Sequence, residues 1–164
     1  METTRTRTYA WDDPTPAAHA AATMKGTEFL QAIADRELPA PPMAHTLGLS
    51  LDEVEEGRAV FSADPAEWLY NPMGSVHGGF VATLLDSALG CAVHSTLPAG
   101  TGYTTVELKV NMVRALTATT GRILCEATIV HAGSRIATAE ARVVDANGKL
   151  YAHGSTTCLI LRRD

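Results

Sequence analysis

Hydrophobic and polar positions fall into two regimes along this chain. From Phe80 to Val93 the sequence is almost wholly apolar, and its single charge is Asp86. Val81, Leu84, Leu85, Ala88, Leu89 and Ala92 recur at helical spacing on nearly every face, which predicts a helix buried all round. Most of the remaining chain reads as strand. Residues 49–54 and 58–63 form two candidate strands about the turn Glu55-Glu56-Gly57. Thr104, Val106, Leu108, Val110 and Met112 alternate with Thr105, Glu107, Lys109 and Asn111. That alternation predicts a strand with Thr104 on its apolar face and Thr105 on its polar face. Residues 123–131, 135–144 and 150–161 add three more, with Asp145-Ala146-Asn147-Gly148 as a hairpin turn because Asn-Gly tolerates positive φ. The order is two strands, one helix, then four strands. Short late connections force antiparallel neighbours. A helix apolar all round must be wrapped by a curved sheet and by a second subunit, so the expected class is α+β.

The first part of the chain lacks this regularity. Residues 1–23 are rich in Thr, Ala and Pro without a period and are expected to be disordered or loosely packed. From Thr27, a candidate N-cap, the positions Phe29, Leu30, Ile33, Ala34 and Leu38 suggest a short amphipathic helix that Pro39, Pro41 and Pro42 stop. Residues 43–49 suggest a second. The expected division is an N-terminal arm, residues 1–46, and a domain, residues 47–164. Whether the arm covers a pocket mouth or the end of the sheet is left open.

At 164 residues the chain is long enough for one domain with a real core. A net charge of −5 argues against an extended nucleic-acid-binding surface. Three cysteines form no CxxC pair, which points to reduced thiols and a cytoplasmic setting. No compact apolar core follows residues 1–9 as a secretory signal would require. The longest apolar run is too short to span a bilayer, so no membrane partner is expected.

One constellation goes further. Asn71 stands six positions before His77-Gly78-Gly79, and Asp86 lies seven beyond Gly79. Residues 104–115 (TTVELKVNMVRA) and the Asp-x-x-Gly-Lys-Leu-x-Ala segment at 145–152 extend the set. Over residues 47–161 the chain resembles the hotdog-fold acyl-CoA thioesterases, in particular the phenylacetyl-CoA-thioesterase-like branch. The resemblance implies a curved antiparallel sheet wrapped around one long helix. It also implies an acyl-CoA substrate, no cofactor, and a homodimer, either alone or paired into a homotetramer.

Thioester hydrolysis needs an activated water or a nucleophile, and donors where charge develops on the carbonyl oxygen. It needs little help with the leaving group, because a thiol with pKa near ~8.5 departs readily as thiolate. The N–H groups of Gly78 and Gly79 at the start of a helix have no intrahelical partner, and glycine permits close approach of a ligand. Asp86 reads either as a structural carboxylate held by hydroxyls or as general base or nucleophile. The resemblance implies the catalytic role. It further implies that Asn71 orients the thioester or water, that His77 sits beside the carbonyl, and that Gly78 donates to the oxyanion. Thr105 would hold the water, with Thr104 and Gly79 as neighbouring substrate contacts. Arg114 would meet CoA phosphates; its neighbour Ala115 replaces the family's usual Pro. No residue set has metal-ligand spacing, since Cys91-x-x-His94 is an isolated pair. Two other functions stay open, an enoyl-thioester hydratase or dehydratase of the same fold and a non-catalytic acyl-CoA-binding module.

Gly78 and Asp86 are 8 positions apart, about 12 Å along a helix axis and roughly 80° around it. One helix cannot easily bring both to one thioester, whereas two antiparallel copies can.

Overall fold

The computed structural model describes residues 4–162. Three short helices come first: α1 (Thr15–Ala21), α2 (Gly26–Ala34) and α3 (Pro42–Leu47). Then follow β1 (Leu49–Glu55), β2 (Arg58–Ala63) and the long helix α4 (Gly78–His94). Strands β3 (Thr101–Met112), β4 (Ile123–Ala132), β5 (Ile136–Asp145) and β6 (Leu150–Arg162) complete the chain. The six strands form one antiparallel sheet in the order β1-β2-β4-β5-β6-β3. It curves around α4, the hotdog arrangement that the pattern and the resemblance imply. The β4–β5 and β5–β6 hairpins pair as their short connections require, but β3 corrects the expectation of sequential neighbours. Residues 113–122 carry the chain away from it, so β3 pairs with β6 at one edge of the sheet while β4 pairs with β2.

The core lies between α4 and the concave face. Leu84, Leu85, Leu89 and Val93 of α4 are fully buried against Ala59, Ile123, Cys125, Ala127 and Val143. Truncating a leucine there to alanine costs about 2–5 kcal/mol. Burial is not uniform around the helix, however. Ala82, Thr83, Asp86, Ser87, Cys91 and His94 are only half-buried. The expectation of burial all round is therefore corrected: apolar composition hid a stripe at i, i+4, i+8 spacing that this chain's own sheet leaves partly uncovered.

Strand β3 brings a second correction. Val106 is inserted as a bulge, so Thr105 pairs with Cys158 and Glu107 with its neighbour Thr157. An extra residue reverses the alternation. Before the bulge Tyr103 and Thr105 turn inward, and after it Leu108 and Val110 do. Thr104 is exposed and Val106 is 57% exposed. The faces of Thr104 and Thr105 are thus the reverse of the unbroken alternation.

The arm is more ordered than its composition suggests. Helix α1 falls in the stretch expected to lack structure, though it buries no residue. Helix α2 starts at Gly26 and makes no side-chain cap bond, so Thr27 is not its cap. Docking sets this start: the Gly26 N–H donates to the Leu97 carbonyl at 3.0 Å. A Cβ at Gly26 would lie 1.8 Å from the His94 carbonyl oxygen, so only glycine fits. The helix ends before the expected Leu38 because Arg36 takes a left-handed φ of 63°. The N–H groups of Glu37 and Leu38 then fold back onto the Ala32 carbonyl. Upstream, the Arg7 guanidinium lies 3.5 Å from the Trp68 ring and donates to the carbonyls of His45 and Thr46, tying the tail to α3.

Candidate active site

The sequence-predicted residues gather in two places. The first is the N-terminal end of α4. The turn before it is shaped by Asn71, whose Oδ1 accepts from the N–H groups of Met73 (2.9 Å) and Ser75 (3.3 Å). Its Nδ2 donates to Ser75 Oγ at 3.1 Å. An amide nitrogen has two hydrogens, so one remains for other use. His77 is the N-cap of α4, its Nδ1 accepting from the Gly79 N–H at 2.8 Å. That bond places the imidazole proton on Nε2 and occupies the Gly79 donor. The Gly78 N–H keeps the position at the helix end where no intrahelical acceptor exists. Above it, the Met112 thioether lies so close that a Cβ on Gly78 would come within 2.8 Å of Met112 Cε. Asn71, Gly78, Met112 and Arg114 line a small pocket of about 310 Å³. The Arg114 guanidinium donates to the Leu150 carbonyl.

The second place is mid-helix. Thr105 Oγ1 donates to Asp86 Oδ1 at 3.1 Å, a contact that the bulge in β3 makes possible. Asp86 and Thr105 line a separate cavity of about 830 Å³ together with Ser87, Cys91, His94 and Tyr103. Tyr103 fits against α4 only because residue 90 is glycine, where a Cβ would lie 2.6 Å from its hydroxyl oxygen. The surroundings of Asp86 are kept electrically quiet. Burial, then the Asp86 charge, pushes the Cys91 thiol up to about 12. Burial first, with Cys91, Cys158 and Asp86 adding to it, raises the Tyr103 phenol well above its ordinary value. Cys158 is raised for similar reasons, and burial lowers His94. All four are therefore neutral near pH 7 beside a carboxylate that accepts one hydroxyl.

Asp86 and Thr105 are thus brought together, and Asn71, Gly78 and Arg114 are brought together, but one chain does not join the two sets. Thr104 faces outward opposite Leu159 and belongs to neither. Sequence reasoning missed Tyr103, Ser87, Cys91 and His94 as cavity residues. The spacing Asp86–Gly90–His94 and Ser87–Cys91 was the available signal. It also missed His77 as a cap, since His is not among the usual N-cap residues. Among the described residues no group of three or more His, Cys, Asp or Glu could hold a metal ion. None of their helices is long and apolar enough to cross a membrane.

The chain is similar to known proteins. The family model for the thioesterase superfamily matches residues 73–152. A protein of Halobacterium salinarum that bears an esterase name is 35% identical over 103 residues, 60% of this chain. The match covers 66% of that relative, so the chain spans just under two thirds of its length. A solved structure described as a protein from the thioesterase superfamily is 32% identical, with a TM-score of 0.67 over 82% of this chain and 97% of that one. A phenylacetic acid degradation-related protein of Ralstonia eutropha, 26% identical, superimposes with a TM-score of 0.72 over 79% and 98% of the two chains.

Proposed function

The chain belongs to the thioesterase superfamily, and from that membership we propose that it is a cytoplasmic acyl-CoA thioesterase, releasing a free acid and CoA. The observation that carries this reading is Asp86, a carboxylate on an apolar helix that accepts one hydroxyl and faces a cavity. A carboxylate there can take a proton from water, or attack the thioester carbonyl itself. Thr105 holds the carboxylate, and its hydroxyl oxygen remains free to accept from water. The Gly78 N–H, at the positive end of α4, donates to the carbonyl oxygen as charge builds there. The free Nδ2 hydrogen of Asn71 orients the thioester beside it. The leaving thiolate needs no strong acid, in keeping with neutral surroundings.

The two halves meet across a two-fold axis in a homodimer. About 12 Å of helix separates Gly78 from Asp86, and each half has its own pocket. Antiparallel packing of two α4 helices through the N-terminal part of their half-covered stripes, around Ala82 and Thr83, sets Gly78 of one beside Asp86 of the other. A hydratase would instead use His77 Nε2, which the helix cap at Nδ1 leaves available, as its acid or base. The test is an acyl-CoA panel followed by thiol detection. CoA release that disappears in Asp86→Asn supports the reading. Tight acyl-CoA binding without thiol release makes the protein a binding module, and loss of enoyl-CoA absorbance without thiol release makes it a hydratase.

A further inference from the structure

The cavity that Asp86 and Thr105 share is not built by the sheet and α4 alone. Ala17 and Ala21 of α1, Leu30 and Ile33 of α2, and Leu38 and Met43 in the Pro-rich connection and α3 line it too. The arm is seated on the helix that carries Asp86, with the Phe29 ring 5.3 Å from the His94 ring and Gly26 flush against the His94 carbonyl. It is a wall of the cavity, then, and not a tail beside it. His45, also in that wall, keeps its Nε2 buried without a hydrogen-bond partner among the described residues. That side of the cavity carries a polar atom whose partner these residues do not supply.

Size and lining select the occupant. At about 30 Å³ per water-sized group, the three heavy atoms of an acetyl group would fill about a tenth of the 830 Å³. A cavity of this volume, lined mostly by apolar side chains with Asp12, Arg36 and His45 among them on the arm side, suits a large apolar ligand. Resting on the thioesterase reading above, we propose that the N-terminal arm sets acyl specificity. The group it selects is a long aliphatic chain or an aromatic of comparable bulk, reaching from Asp86 toward α1 and α2. Short acyl groups leave the arm untouched and gain nothing from it.

The experiment compares wild type with Ala17→Trp and Ala34→Phe. Ala17 and Ala34 are half-buried, line the cavity and stand outside the hydrogen-bonded residues described above. A ladder of straight-chain acyl-CoAs from acetyl upward is assayed for thiol release. The matching free acids are titrated calorimetrically, which reads the pocket without hydrolysis. In wild type, kcat/KM and acid affinity should rise about fourfold per methylene until the cavity is full. The arm variants should stop that rise at shorter chains and lose at least tenfold on the longest, through KM, while acetyl-CoA is unchanged. A flat ladder in wild type, or arm variants that lower every chain length in parallel, overturns the inference. Acids that bind with the predicted length dependence while no acyl-CoA is hydrolysed leave the pocket standing and remove the thioesterase reading instead.

Discussion

The two ends of the candidate chemistry are built on opposite principles. At the N-terminus of α4 nearly every polar group already has an internal partner. Asn71 holds its turn, His77 holds Gly79, and Arg114 holds Leu150. At mid-helix Asp86 has one hydroxyl and a large cavity before it. The first region is assembled in advance, leaving the Gly78 N–H at a helix end without an intrahelical acceptor, which is how an oxyanion donor must be arranged to stabilise developing charge without reorganising. The second leaves capacity unused, as a group that must accept a proton or attack a carbonyl requires. Order around a donor and vacancy around a base are both expected of one reaction divided between two places.

The sharpest way to break this contrast is Asp86→Asn. The amide oxygen still accepts from Thr105, so the fold should persist within a few degrees of the wild-type melting temperature. Thiol release should fall by roughly 10²–10⁴. Lost folding with retained specific activity would make Asp86 structural.

Gly78→Ala probes the other region. The added Cβ meets the flexible end of Met112, which can move, but it also crowds the approach to the N–H. A drop of about 10²-fold in kcat is expected with little change in melting. Equal activity would show that no carbonyl comes to that N–H. Thr105→Val should lower kcat about tenfold while stability changes by under ~1 kcal/mol. His77→Ala should do the reverse in part. Loss of the cap costs about 1 kcal/mol, or roughly 2–4 °C in a domain of this size, measured by thermal melting. The smallest effect concerns Cys91. With its thiol pushed up to about 12, it should alkylate far more slowly at pH 8 than an ordinary cysteine. Mass spectrometry after iodoacetamide reads this, and fast labelling would show the cavity wall to be wetter than described.

Element order and the antiparallel sheet were legible because period-2 and period-3.6 patterns are local. The bulge at Val106 was not, since a one-residue insertion leaves the apolar-polar alternation intact while reversing which face points inward. The uncovered stripe of α4 was hidden for a related reason. Ala82 and Cys91 score as apolar whichever way they face. The start of α2 depends on docking at the end of α4, where Gly26 meets the His94 and Leu97 carbonyls, rather than on a side-chain cap. As for the candidate site, the motif placed Asp86, Gly78 and Asn71 in order along the chain. Their distribution between two pockets needed coordinates, and so did the cavity's arm-side wall.

The proposal that the two regions complete one another across a dimer is tested most directly by complementation. Asp86→Asn and the double variant Asn71→Ala/Gly78→Ala, each inactive, are unfolded together and refolded. Random pairing makes about half of the dimers hybrid, each with one intact site of two, so activity should return to roughly a quarter of wild type. If hybrids are shown to form by mass spectrometry and the mixture stays as inactive as its parents, the two regions do not serve one reaction across the dimer.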